Sequence, residues 1–321
     1  MVGSADTTIN DHMVNDHIVK ATRAIETQIG LVLLGKSEQV RIATAALLAG
    51  EHLLLNDHPG VGKTTLGLAL SRVIDGSFGR IQGTPDLLPS DLSGITMFDQ
   101  RSNRWNFRPG PLLNNIVLVD ELNRITPRTQ SALLEAMAER HVTLDGETHQ
   151  LPNPFMVVAT MNPIGSSGTF PLTSGQLDRF GASLSIGAPD RQAERRLLQG
   201  DGGQDYLRLV APVVTASLLP EFQHVIHQVH VRPELVDYAL DMCDRLRADS
   251  HLSARAPKSM LAMARSIAVL EGRSFVVPDD VKRLASACLT HRLASEGQPL
   301  DAHHERVTEA VDTATIPSLS T

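Results

Sequence analysis

Short runs of consecutive apolar residues recur along the chain up to about residue 188. Such runs are typical of strands buried on both faces of a parallel sheet. Helical patterns lie between them, and the helix after the first run has Leu66, Ala69, Leu70 and Val73 on one face. Strands that alternate with helices predict an α/β fold with helices on both faces of the sheet. The five predicted strands are 53–55, 80–82, 116–119, 155–160 and 184–186.

The strand signals stop after residue 188 and helical periodicity takes over. Four helices are predicted, at 190–199, 233–248, 257–271 and 278–294. The last begins at Pro278 with two aspartates in its first turn, a pattern favoured at helix N-termini. We therefore expect a second, smaller all-α domain. The predicted organisation is a flexible leader at 1–12, an α/β core at 13–188, connecting segments at 189–230, a helical lid at 231–310 and a flexible tail at 311–321.

Two segments interrupt the core pattern. Residues 83–110 are irregular and rich in Pro, Asp, Ser and Gly, but 95–98 and 105–107 flank a polar stretch like the arms of a hairpin. Residues 142–151 alternate around Asp145-Gly146, and an Asp-Gly pair is a strong hairpin signal. Each segment is therefore expected to contain a hairpin.

A glycine loop follows the first predicted strand. Gly60 and Gly62 allow the backbone N–H groups to turn inward, Lys63 can reach β- and γ-phosphates, and Thr64 offers a hydroxyl to Mg²⁺ at a helix N-terminus. The general P-loop pattern has glycine where this chain has Asp57. The candidate nucleotide-binding residues are Asp57, His58, Pro59, Gly60, Val61, Gly62, Lys63, Thr64 and Thr65.

Asp120-Glu121 ends the continuous apolar strand at 116–119. An aspartate there can hold Mg²⁺ together with Thr64, and the glutamate can polarise a water that attacks a γ-phosphate. Alone, each motif has an ordinary structural explanation, because glycine loops are common and Asp-Glu after a strand is often a solvated turn or a helix cap. Together, and each behind an apolar strand, they predict a site for a nucleotide and Mg²⁺.

Composition narrows the class of protein. The 321 residues are 42% hydrophobic and 20% charged, as in ordinary globular proteins. The net charge of −7 argues against a general nucleic-acid binder, which usually carries a basic face. No apolar run is long enough to span a bilayer, and the N-terminus lacks the apolar segment of a signal peptide. We expect a cytoplasmic protein.

Several longer blocks make the chain resemble the MoxR family of AAA+ ATPases over nearly its full length. The blocks are TPDLLPSD (84–91), RPGP (108–111), DELNR (120–124), TQSALLEAM (129–137) and QLDRF (176–180). The resemblance implies a P-loop AAA+ core with a five-stranded parallel sheet, followed by a small helical lid. It also implies that 83–110 is the helix-2 insert and that 142–151 is the hairpin before the sensor strand, both projecting toward a substrate or partner.

The resemblance assigns roles to three further residues. Asn162 looks like the sensor of the γ-phosphate, although Asn-Pro can also simply begin a turn. Arg179 looks like the arginine finger that reaches a neighbouring subunit's nucleotide, and a local salt bridge with Asp178 is the alternative. Arg255 looks like the sensor arginine of the lid, with Pro257 after it where the family has a proline before it. Lys36 replaces the glutamine that usually helps to hold adenine.

The family resemblance implies an ATPase that couples Mg²⁺-dependent hydrolysis to chaperone-like remodelling of a partner. ATP would bind between core and lid in a hexameric ring, and the partner would carry a von Willebrand A domain, often for metal-cofactor insertion. A nucleic-acid motor, a metal-chelatase subunit and a nucleotide-gated scaffold are the alternatives. Low basicity and few aromatic residues in the inserts argue against the motor, because strand-tracking proteins use cationic grooves and stacking platforms.

Overall fold

The computed structural model describes residues 7–57, 60–101, 103–162, 168–247, 250 and 252–315, with the backbone alone for 7–15. Its strands are β1 (Leu53–Asn56), β2 (Phe78–Gln82), β3 (Gly94–Asp99), β4 (Arg104–Pro109), β5 (Ile116–Asp120), β6 (His141–Leu144), β7 (Glu147–Gln150), β8 (Met156–Met161) and β9 (Ala182–Leu184). Its helices are α1 (Thr7–Gly30), α2 (Ser37–Ala49), α3 (Lys63–Val73), α4 (Pro89–Ser93), α5 (Pro127–Glu139), α6 (Ser174–Leu177), α7 (Arg191–Leu198), α8 (Leu219–His227), α9 (Pro233–Arg247), α10 (Arg255–Leu270), α11 (Pro278–Leu293) and α12 (His304–Thr313). Short 3₁₀ turns cover Leu122–Arg124 and Gln204–Leu209.

The main sheet has the order β2-β5-β8-β1-β9, with every pairing parallel. Its central strands are apolar and buried because helices cover both faces, as the uninterrupted apolar runs predict. The prediction of a five-stranded α/β core followed by helices is confirmed. Parallel strands bring their carboxyl ends to one edge, so the residues after β1, β5 and β8 meet there.

Strand β9 lies two residues before the predicted 184–186 strand. It pairs with β1 from Ala182 to Leu184. The N–H groups of Ile186 and Gly187 instead donate to the side chain of Asp57, with the Gly187 bond at 3.3 Å. The apolar residues at 184 and 186 suggested a strand, but the carboxylate captures the N–H groups beyond Leu184.

Both ends of the chain are more helical than expected. Helix α1 begins at Thr7, inside the predicted leader 1–12, and α12 reaches Thr313, inside the predicted tail 311–321. Helix α12 is ordered because Val307, Ala310 and Val311 are buried in the main hydrophobic core. Residues 1–6 and 316–321 lie outside the described part.

Helix α10 begins at Arg255, two residues before the predicted start at 257. Pro257 therefore lies in the first turn, where its missing N–H breaks no intrahelical bond.

The predicted connecting region 189–230 contains two helices, α7 and α8. Helix α8 buries Leu219, Phe222 and Ile226 in the main core.

Two antiparallel hairpins lie within the core sequence, each as a separate two-stranded sheet. One is β3–β4, within 83–110, and the other is β6–β7, whose turn has Asp145 at φ 50° and Gly146 at φ 83°. The rings of Phe107 and His149 stack across the two hairpins with centroids 4.0 Å apart. The expectation that the inserts are poor in basic and aromatic residues is wrong for β3–β4, which carries three arginines and three aromatic residues.

A search of the described helices finds none that is both long enough and apolar enough to cross a membrane.

Candidate functional site

A cavity of about 550 Å³ lies at the carboxyl edge of the sheet. Residues 60–65 line it after β1, Asp120 and Glu121 line it at the end of β5, and Asn162 lines it after β8. The opposite end is formed by residues from the α1–α2 connection and from the region after β9. They are Val32, Leu33, Leu34, Lys36, Pro189, Leu197, Gly203 and Gln204. Its polar end suits phosphates, and its more apolar end suits a base.

The glycine loop has the backbone that an anion site needs. Gly60 and Gly62 have φ values of 89° and 100°, in the left-handed region that side chains disfavour. A Cβ at position 62 would also lie 3.2 Å from Leu33 Cδ2. Gly62 caps α3 and has no side chain to accept from the N–H groups of the first turn. Those groups, at the positive end of the helix dipole, can therefore donate to a phosphate.

Lys63 is buried beside the loop. Its Nζ donates to the carbonyl oxygens of Asp57 and Met161, the latter at 2.9 Å, and to Asn162 Oδ1 at 3.0 Å. Burial lowers the pKa of the ammonium, while the neighbouring carboxylates of Asp57, Asp120 and Glu121 oppose that shift. A partly desolvated cation whose hydrogen-bond partners are neutral oxygens gains strongly from an anionic ligand.

Asp120 and Thr64 form the oxygen pair expected for Mg²⁺. Thr64 Oγ1 donates to Asp120 Oδ1 at 3.2 Å, while Arg80 Nε and Nη2 donate to Oδ2 at 3.1 and 2.9 Å. Mg²⁺ prefers oxygen ligands and is often held by one or two protein groups plus phosphates and water. The residues therefore fit the ion, with Asp120 Oδ1 and Thr64 Oγ1 on the same side.

Hydrogen bonds fix both the backbone and the carboxylate of Glu121. Its φ of 56° is left-handed, and its N–H donates to Thr160 Oγ1 at 3.0 Å. Asn162 Nδ2 donates to Oε1 at 3.1 Å, and Arg124 Nη1 donates to Oε2 at 3.0 Å. This conformation thus links Lys63, Asn162 and Glu121 through the Asn162 amide, which accepts from the lysine and donates to the glutamate.

The structure adds three polar residues that the sequence analysis missed. Arg80 binds Asp120, Arg124 binds Glu121, and Gln82 Nε2 lies 3.4 Å from Glu121 Oε2. Positions 80 and 82 share one face of a strand, and 124 follows 121 by one 3₁₀ turn. The spacing was visible in the sequence, but the parallel pairing of β2 with β5 is what brings Arg80 and Gln82 to the carboxylates.

Among the predicted loop residues, Asp57 has a different role from the others. Its Oδ1 accepts from Ser185 Oγ at 2.8 Å, and Oδ2 accepts from the N–H groups of Ile186 and Gly187. It does not line the cavity described above. Its carboxylate ties the start of the loop to the end of β9. His58 and Pro59 lie outside the described residues.

Arg179 and Arg255 lie together in a second cavity of about 280 Å³. Neither lines the first cavity. The same cavity is lined by the cations Arg140 and Lys258, and by the acidic residues Glu51 and Asp178. We expected the nucleotide to lie between core and lid. Among the described residues, however, none from the lid helices α9–α12 lines the first cavity, so the lid of the same subunit does not form part of it.

Asp178 explains where the lid arginine lies. Its carboxylate accepts from Ser253 Oγ at 2.9 and 2.8 Å, from Arg255 at 3.5 Å and from Arg292 at 3.1 Å. These bonds hold the start of α10 beside Arg179. The alternative of an Arg179–Asp178 salt bridge is not seen among the described residues.

Comparison with known proteins shows which family this chain resembles. Residues 52–182 match the model of the ATPase family associated with various cellular activities (AAA), and residues 242–313 match the AAA lid domain. YeaC of Bacillus subtilis, a protein of uncharacterised function, is 40% identical over 84% of this chain and 86% of its own length. Chaperone MoxR1 of Mycobacterium tuberculosis is 34% identical over 83% of this chain and 74% of its own length.

The fold agrees with these matches. The crystal structure of a candidate ATPase from Cytophaga hutchinsonii superimposes with a TM-score of 0.84 and 27% identity, covering 97% of this chain and 98% of that one. Sequence and structure together therefore agree on both the α/β core and the helical lid. The chain belongs to the MoxR family of AAA+ ATPases, and it is an enzyme that hydrolyses ATP.

Proposed function

We propose that hydrolysis is Mg²⁺-dependent and takes place in the first cavity. Lys63 and the N–H groups of residues 60–65 hold the β- and γ-phosphates, while Thr64 and Asp120 hold the ion. When bound, Mg²⁺ would neutralise phosphate charge. The support is the shared position of the glycine loop, the oxygen pair and Glu121 at one edge of the sheet.

Glu121 is the proposed general base. In the described conformation both of its carboxylate oxygens accept hydrogen bonds, from Asn162 and Arg124. A phosphate that binds Lys63 would draw the ammonium away from Asn162, and the amide could then turn from Glu121 toward the phosphate. Glu121 Oε1 would become free to take a proton from the attacking water.

Arg179 and Arg255 are proposed to act on the nucleotide of a neighbouring subunit. The single observation that carries this proposal is their shared place in the second cavity, apart from their own glycine loop. A ring would bring this cationic cavity against the first cavity of the next copy. Arginine stabilises transition-state charge in phosphoryl transfer, with effects of about 10³–10⁵ on rate where a finger has been measured. Arg255 would thus work across the boundary with Arg179.

The coupled activity that we propose is chaperone-like remodelling of a partner protein in the cytoplasm by a hexameric ring. One relative that supports it is named as a chaperone. The partner would carry a von Willebrand A domain, as the family resemblance implies. Hydrolysis of ATP by the ring would drive the maturation of that partner or the insertion of its cofactor. A nucleic-acid motor and a metal-chelatase subunit are the alternative functions, and identification of the binding partner would distinguish them from remodelling.

Mixing inactive variants tests the trans arrangement. Lys63→Ala and Arg179→Ala chains should each be inactive, and mixed rings should regain part of the turnover because some boundaries combine an intact loop with an intact arginine. Arg255→Ala mixed with Lys63→Ala should behave alike. Arg179→Ala mixed with Arg255→Ala is the matched control, since no boundary then has both arginines, and it should stay inactive. Mixed rings that regain nothing with Lys63→Ala would refute the trans role.

A further inference from the structure

The β3–β4 hairpin exposes a large aromatic pair. Trp105 is 70% exposed and Phe98 is 45% exposed. Their rings lie directly across the hairpin from each other, with centroids 5.3 Å apart in an edge-to-face arrangement. Because large apolar side chains at the surface favour burial against another molecule, this pair marks an interaction surface.

The opposite face of the hairpin is also apolar in part. Ile95 and Met97 are 45% and 42% exposed. Both strands belong to a two-stranded sheet, so each also presents a free edge of backbone hydrogen-bonding groups. The stacking of Phe107 on His149 of β7 braces the hairpin, and therefore the exposed side chains are held in a defined position.

The charge of the hairpin is opposite to that of the whole chain. Residues 94–109 contain three arginines and one aspartate, whereas the chain has a net charge of −7. Arg101, Arg104 and Arg108 are all exposed. None of these three forms an ion pair within the described residues. The hairpin thus combines exposed cations with aromatic and aliphatic surface.

We propose that the β3–β4 hairpin, through residues 94–101 and 103–109, docks an acidic polypeptide segment that also carries apolar side chains. The arginines would pair with its carboxylates, and Trp105 and Phe98 would bury its apolar groups. Arginine and tryptophan are the residues that most often dominate the energy of protein interfaces. This inference names the chemistry of the partner in the proposed remodelling function and rests on that function for its purpose.

A nucleic acid fits the surface less well than a peptide. Its bases could stack on Trp105, but Ile95 and Met97 are aliphatic and offer no ring for stacking.

Trp105 provides a direct probe, since it is the only tryptophan in the chain. A peptide of Glu, Leu and Gly should shift the emission of the full-length protein to the blue, whereas its Lys-for-Glu counterpart should not. By fluorescence anisotropy of the labelled acidic peptide, Trp105→Ala and Arg104→Glu should each weaken binding about tenfold. Arg191→Glu, at an exposed arginine of α7, makes the same change of charge and should bind like the parent.

Stronger binding to oligothymidine than to the acidic peptide would overturn the proposal, as would equal binding by Arg104→Glu and Arg191→Glu. Loss of the assembled ring in Trp105→Ala, seen by sedimentation, would assign the surface to contacts between copies and overturn it too. Arg104→Glu removes no buried packing, so it decides the question if Trp105→Ala destabilises the hairpin. ATP turnover without peptide should be unchanged in both variants. Failed docking with intact turnover therefore refutes this inference alone, while failed mixing of Lys63→Ala and Arg179→Ala refutes the trans mechanism alone.

Discussion

Replacing Asp57 should cost stability and leave nucleotide affinity nearly unchanged. Its carboxylate accepts hydrogen bonds from Ser185 Oγ at 2.8 Å and from the N–H groups of Ile186 and Gly187. It thereby joins the start of the glycine loop to the chain after β9. The sequence position suggested a nucleotide contact, but the side chain does not line the first cavity.

The size of the effect follows from the three donors. Ile186 is 1% exposed, so Asp57→Ala leaves its N–H without an acceptor, at about 1.5–3 kcal/mol for a bond to a charged group. The longer Gly187 bond adds about 0.5–1 kcal/mol, and the exposed Ser185 hydroxyl can turn to water. Asp57→Ala should therefore lower the free energy of unfolding by about 2–4 kcal/mol. Asp57→Asn keeps one acceptor oxygen and should lose about 1 kcal/mol, because a neutral bond is roughly half as strong.

Urea unfolding measures the free energy, and the Michaelis constant for ATP measures the site. The control is Asp241→Asn, on the exposed side of α9, which removes one carboxylate charge that takes no part in the Asp57 hydrogen bonds. Its free energy of unfolding should stay within about 0.5 kcal/mol of the parent. Asp57→Asn should keep the Michaelis constant within about twofold, since each tenfold change would require about 1.4 kcal/mol of lost contact. If Asp57→Ala is as stable as the parent but has a strongly raised Michaelis constant for ATP, the structural role is refuted and Asp57 contacts the nucleotide, as the sequence suggested.

Two further predictions concern the site and the pH response. Lys63→Ala should abolish ATP binding, whereas Glu121→Gln should retain it in calorimetric titration and lower phosphate release by about 10²–10⁴, the usual worth of a general base; parent-like turnover of Glu121→Gln would contradict the assignment. Burial lowers the pKa of both His52 and His291 to about 3, against about 6.5 in an unfolded chain. Between these values the unfolded state binds more protons, so the free energy of unfolding should fall as the pH drops, by up to about 1.4 kcal/mol per pH unit for each histidine. His291→Gln should remove about half of this slope in urea titrations between about pH 6 and 5, and an unchanged slope would exclude His291 as a contributor.

The sequence alone determined the class of fold and predicted residues that line the first cavity. Strands buried on both faces of a parallel sheet need continuous apolar runs, and a glycine loop must combine left-handed positions with a lysine at a helix start. Gly60, Gly62, Lys63 and Asp120-Glu121 could therefore be recognised locally. Hairpin β6–β7 could be recognised in the same way, because its turn depends on adjacent residues.

The tertiary structure alone decided which distant side chains share a cavity. Arg80 reaches Asp120 because β2 pairs with β5, and Asp57 faces Ile186 because β9 lies beside β1. Arg255 lies with Arg179 because the carboxylate of Asp178 binds the start of α10. Periodicity reports which face of an element is buried, and it carries no information about the partner. Ion pairs between residues far apart in sequence depend on strand order and helix packing, so their position follows only from the folded chain.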